Sequence, residues 1–268
     1  MKRQFPAEFI YQVFALIIAT ILVHSVYVTI IRPAATDALE TQAARLADDG
    51  SYVPQRSWYV VIRDFEQEVC FVLMLWGVAI LGYKSLAVQR EQRLFKGNLL
   101  TLNEGTRILP EDARKYARQM QALPVEDRGA LLPRCLLAGL ERFAATGSIS
   151  DVSATTQAIC QSEAERQESE LSMVRYIVWA IPSIGFIGTV RGIGDALGLA
   201  YKAVEGDITG VTQSLGVAFN STFVALLLSL VLMFLVHQFQ VVQERLVLDA
   251  QEYCDRQLVG RLAIGPGG

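Results

Sequence analysis

Phe9 to Ile31 is a run of 23 residues without a formal charge, and a helix of that length, rising about 1.5 Å per residue, crosses about 30 Å of hydrocarbon. Three more blocks follow, Val69 to Val88, Met173 to Tyr201 and Val211 to Gln240. In lipid every backbone N–H and C=O must find its partner inside the segment, so four such blocks restrict the chain to helices. The expected fold is all-α: a polytopic membrane protein with four transmembrane helices, long cytoplasmic helix extensions and a helical cytoplasmic domain. A cleaved signal peptide would also place Lys2 and Arg3 before an apolar run. Its apolar core, however, is only about 7 to 15 residues, and no small-x-small site follows here.

The charges orient the spans. Lys2 and Arg3, then Lys84, Arg90, Arg93 and Lys96, then Arg175 and Arg245 lie next to apolar blocks, and the positive-inside rule puts them all in the cytoplasm. Both termini are then inside. The organisation reads as a cytoplasmic amino terminus at 1–8, spans at 9–31 and 69–88 with a periplasmic loop at 32–68 between them, a helical cytoplasmic domain at 89–172, spans at 173–201 and 211–240 joined by a short periplasmic loop at 202–210, and a cytoplasmic carboxy-terminal helix and tail at 241–268. The outer loop carries Asp37, Glu40, Asp48 and Asp49 and a turn signal at Asp49-Gly50. In the cytoplasmic domain Pro110 opens one helical stretch to Leu123, and Pro124 separates it from a second that ends near Ala145. From the capping residues Ser150 and Asp151 no proline or glycine occurs until Pro182, which predicts a single helix rising into span three. Gly265 to Gly268 form a tail.

Several function classes fall away. A formal charge of −3 provides no field for nucleic acid, and Cys70, Cys135, Cys160 and Cys254 lack metal-site or disulfide spacing, so they read as reduced, buried thiols. No H-E-x-x-H or G-x-S-x-G motif occurs and Ser183 has no evident base, so no catalytic residue, metal or cofactor is expected.

The polar residues of the last two spans are the informative ones. "IPSIGFIGTVRGIGDA", residues 181–196, holds Pro182, Gly185, Gly188, Gly192 and Gly194 with Thr189, Arg191 and Asp195. Small residues let helices close on each other, and Pro182 frees a backbone carbonyl one turn earlier, which a neighbour or water must satisfy. Span four carries Asn220, Ser221, Thr222 and Ser229. Among titratable groups, Glu8 and Glu68 sit at span ends, Asp195 is one turn from Arg191 and reads as its ion-pair partner, His24 reads as a hydrogen-bonded structural residue or a proton carrier, and His237 lies near the inner interface.

These residues resemble the MotA/TolQ/ExbB proton channel family over about Ser150 to Phe239. The pattern P-x-x-G-x-x-G-T-V-x-G-I is met by Pro182, Gly185, Gly188, Thr189, Val190, Gly192 and Ile193, and a second, A-L-x-T-T-x-x-G-L-x-x-A-I-P, by Ala218, Phe219, Ser221, Thr222, Ala225, Leu226, Ser229 and Leu230, with Val231 for the proline. The motifs are closest to ExbB and TolQ, the four-span topology to MotA. Val217 stands where some members carry a glutamate, and Arg191 where a tryptophan or apolar residue is usual.

The resemblance implies a ring-forming subunit of an inner-membrane motor driven by the proton motive force. It would be a homo-oligomer, a pentamer, around two copies of a single-span ExbD/TolR/MotB-like protein that carries the titrating aspartate. Thr189 and Thr222, helped by Ser221, would line the ion path, with Pro182, Gly185, Gly188, Gly192, Ala218 and Ala225 packing the helices and letting identical subunits close into a ring. H⁺ is favoured over Na⁺, since no multi-oxygen acidic cluster is present. The alternative is a non-conducting scaffold that binds cytoplasmic proteins through its helical stalk; it requires neither threonine hydroxyl.

Overall fold

The computed structural model describes residues 7–48, 57–97, 99–100 and 106–264. The charges at Lys2 and Arg3, the Asp49-Gly50 turn and the terminal tail fall outside the described residues. What is described is helical, with one isolated parallel bridge between Ile108 and Leu262. Eleven α-helices occur among these residues: α1 (Ala7–Val26), α2 (Arg32–Asp48), α3 (Trp58–Val61), α4 (Phe65–Lys96), α5 (Pro110–Gln121), α6 (Val125–Arg128), α7 (Leu131–Thr146), α8 (Ile149–Glu170), α9 (Ser172–Gly198), α10 (Ala200–Val204) and α11 (Thr209–Tyr253). Four helices are long and apolar enough to cross a membrane, within Glu8–Leu46, Phe65–Phe95, Ile149–Gly198 and Thr209–Arg261. The chain is a multi-pass membrane protein.

The chain divides into two compact units, one of 1–82 and 173–236, the other of 83–172 and 237–268. In the first, α1 lies against the middle of α4: the Tyr11 hydroxyl donates to the Ala79 carbonyl at 3.1 Å and the Trp76 indole to the Gln12 carbonyl at 2.9 Å. Gly77 of α4 lets Leu232 approach, since a Cβ there would stand 3.0 Å from a Leu232 methyl. The segment expected as an outer loop begins as helix. Pro33 has no N–H and its ring crowds the Thr29 carbonyl, so the chain passes that point in a wide π turn, Tyr27–Ile31, with the Arg32 N–H bonded to the Tyr27 carbonyl, and continues as α2.

The second unit is a small helical bundle. Its core joins Leu132, Leu136, Leu140 and Phe143 of α7 to Val152 and Cys160 of α8 and to Ala250, Cys254 and Leu258 at the end of the chain. Gly147, at φ 65°, ends α7 in the left-handed conformation that glycine adopts without penalty. The cap of α8 is Ser148, whose hydroxyl accepts the Asp151 N–H at 3.3 Å, two residues before the expected capping position. The single helix expected from there into span three runs over Ile149–Gly198, with one residue, Leu171, in a turn between α8 and α9. The Lys84 ammonium is buried and donates to Glu170 at 3.1 Å. All four cysteines are buried and free, and the folding of α7 on α8 brings the Cys135 and Cys160 sulfurs to 3.8 Å.

Candidate ion path

α9 and α11 meet through small residues at i, i+3 and i+7 spacing, which lie on one helical face. Gly185, Gly188 and Gly192 of α9 face Ala225, Ser221 and Ala218 of α11. A Cβ on Gly185 would sit 2.3 Å from that of Ala225; on Gly188, 2.6 Å from that of Ser221; on Gly192, 2.7 Å from the Ala218 backbone nitrogen. No side chain fits in those gaps, so the close approach requires glycine at each. This face, expected to close identical helices into a ring, is occupied inside one chain. Gly194 and Gly198 have nothing within 4 Å of a Cβ.

The carbonyl freed by Pro182 is that of Val178, and Ser229 of α11 satisfies it: its buried hydroxyl donates to Val178 O at 3.0 Å. The proline and the serine are one device, a missing helical donor replaced from the neighbouring helix.

Between these small-residue contacts the two threonines meet. The Thr189 and Thr222 hydroxyls are hydrogen-bonded to each other. Thr189 Oγ1 also lies 3.0 Å from the Ala218 carbonyl and 3.3 Å from that of Gly185, and Thr222 Oγ1 lies 3.3 Å from Gly185 O. Both residues are half-buried. Each hydroxyl has one proton to give and two lone pairs to offer, and with two carbonyls in reach neither is stranded when the other turns away. Ser221 is placed differently. It is 1% exposed, points at Gly188, and its hydroxyl has no partner within the protein. Ser183 bonds back to the Trp179 carbonyl at 2.9 Å and stays exposed.

Arg191 grips a residue that the sequence reading did not single out. Its Nε and terminal nitrogen donate to the two oxygens of Glu66, at the start of α4, at 2.6 and 2.9 Å. Asp195 is at 3.6 Å and 57% exposed, against 8% for the Glu66 side chain. The bidentate fork goes to the buried acid because that charge has no water to fall back on. Glu68, two residues on, turns to the other side: His24 Nδ1 lies 2.6 Å from one oxygen and Arg32 donates to the second at 2.5 Å. A signal for both acids was present, since carboxylates in the first turn of a helix gain from its dipole. Their partners, 125 and 44 residues away in sequence, could not be read from spacing.

The geometry defines a helical membrane protein whose last two spans are locked by glycines and share a threonine pair. Residues 129–252 match the model of the MotA/TolQ/ExbB proton channel family, a match that supports membership of that family. That family is one of proton channels of the stator and energiser kind, which work with partner proteins in oligomeric complexes. Comparison with curated proteins and with solved structures found no match.

Proposed function

We propose that the chain is the ring-forming subunit of an inner-membrane motor that runs on the proton motive force, with both termini cytoplasmic. Five copies surround two copies of a single-span partner whose membrane aspartate carries the proton. The observation that carries this reading is the threonine pair: two hydroxyls from two helices, hydrogen-bonded to each other, within the family-matched segment.

Burying a carboxylate is costly unless donors replace its water. When the partner's aspartate is ionised, Thr189 and Thr222 turn their protons toward it; when it is protonated, one hydroxyl accepts a hydrogen bond from the carboxylic acid while both keep a backbone acceptor at Gly185 or Ala218. The hydroxyls thus lower the penalty of both protonation states without holding charge themselves. H⁺ suits this chemistry better than Na⁺, which asks for several oxygen ligands at fixed distances.

Native mass spectrometry of the complex in mild detergent tests the assembly. A mass of five copies with two of a single-span protein is expected. A stable monomer contradicts it and favours the scaffold.

A further inference from the structure

Among the described residues, the buried side-chain nitrogen and oxygen atoms without a hydrogen-bond partner in the protein are Tyr27 Oη, Asp64 Oδ2, Gln67 Nε2 and Ser221 Oγ. All four belong to the first unit, and Tyr27, Gln67 and Ser221 are each at most 1% exposed. They gather around one short piece of chain, the turn that starts α4. Asp64 and Gln67 are in it, with the Gln67 side-chain oxygen Oε1 accepting the Asp64 N–H at 2.7 Å. Tyr27 is tied to it through Arg32, whose guanidinium lies 6.0 Å from the Tyr27 ring centre and donates to Glu68. Ser221 reaches it at Gly188, where a Cβ would stand 2.7 Å from Ser221 Oγ and 3.2 Å from Glu66 Cγ. The second unit, whose core is apolar, contributes no such atom among the described residues.

A buried polar group without a partner bears its full desolvation penalty, and folded proteins meet such groups with ordered water. This set is chemically mixed: an amide donor, a carboxylate acceptor and two hydroxyls that do both. Water, with two donors and two acceptors, matches it; an apolar ligand does not. The neighbouring acids are already committed, Glu66 to Arg191 and Glu68 to Arg32 and His24, and the one carboxylate left in the set, Asp64, has Arg63 at 3.7 Å from its other oxygen, which balances its charge.

We propose that the first turn of α4 holds a chain of bound water, and that this chain is the outer arm of the ion path, leading protons past Tyr27, Asp64 and Gln67 to Ser221 and so to the neighbouring threonine pair. Each hop breaks one O–H bond as the next forms, so nothing is oxidised or consumed. The arm rests on the threonine reading above for its destination. It assigns a role to the π turn at Tyr27–Ile31 and to the start of α4, which lie outside the family-matched residues 129–252.

Radiolytic hydroxyl-radical footprinting of the whole complex in membranes reads bound water directly, because the water is the source of the radical. Tyr27, although 1% exposed, is oxidised at a rate comparable with that of Tyr59, which is 45% exposed, while Phe143, at 0% in the second unit, stays at background. Tyr27 as protected as Phe143 overturns the proposal. In parallel, Tyr27→Phe and Gln67→Leu, both close in volume to the native residues, lower proton flux up to about ten-fold, the factor a lost hydrogen bond can carry, in complexes that still hold the partner. Labelled Tyr27 with full flux in both variants overturns the arm as a conductor. Since the footprint does not depend on conduction, its failure is separable from failure of the threonine reading.

Discussion

Ser229 is the replacement donor for a carbonyl that Pro182 leaves open, and this coupling has a measurable size. Ser229→Ala removes a buried hydroxyl at 3.0 Å from Val178 O and leaves that carbonyl without a donor in a helix interface. The general penalty for such a group is about 1–3 kcal/mol, while hydrogen bonds between membrane helices average about 0.6 and reach about 1.7. Ser229 is 5% exposed and Val178 7%, so little solvent can compensate, and about 1–2 kcal/mol is expected. Pro182→Ala returns the N–H that Val178 O lacks. In that background Ser229→Ala should cost about 0.5 kcal/mol or less, which leaves a coupling of about 1 kcal/mol. Thermal denaturation of the detergent-solubilised complex, as single mutants and the double mutant, measures all four corners. An equal cost of Ser229→Ala in both backgrounds would refute the reasoning.

The same arithmetic separates the two acids near Arg191. Removing Arg191 strands the buried Glu66 carboxylate, at a cost of about 3 kcal/mol, whereas Asp195→Asn breaks an exposed contact and costs at most about 1 kcal/mol; Glu66→Gln combined with Arg191→Gln should be milder than Arg191→Gln alone, and a double mutant worse than either single change would show that they are not a pair. Gly192→Ala places a Cβ 2.7 Å from the Ala218 nitrogen, so the spans must part, at about 1–3 kcal/mol. Gly194→Ala, with nothing within 4 Å of its Cβ, should be neutral in the isolated chain, and equal melting shifts for the two would refute this assignment of the packing face.

The parts of the fold that were legible were those set by local chemistry. Four long apolar runs could only be helices, and Pro182 announced an open carbonyl, although not that Ser229 would close it. The glycines announced a close helix contact, although not that α11 of the same chain supplies it. Spacing shows which face a residue occupies, not what lies opposite, so Arg191 was assigned to Asp195 one turn away when Glu66, 125 residues distant, holds it more tightly. Glu68 with His24, and the convergence of Cys135 on Cys160, were hidden for the same reason. The one-residue turn at Leu171 has no proline or glycine to mark it. The helical course of Arg32–Asp48 was missed because its charges and Pro33 read as loop, while the π turn lets the helix continue.

The central claim is that the Thr189 and Thr222 hydroxyls solvate a proton carrier supplied by the partner. Thr→Val keeps the volume nearly constant and removes only the hydroxyl, so proton flux through membranes bearing the Thr189→Val, Thr222→Val double mutant, measured with a pull-down of the partner from the same membranes, tests it most directly. The account predicts an intact complex with flux lowered at least about ten-fold, the equivalent of about 1.4 kcal/mol, and partial recovery when the substitutions are serine instead. Full flux in an intact double-valine complex would contradict it and leave the helical scaffold as the better description.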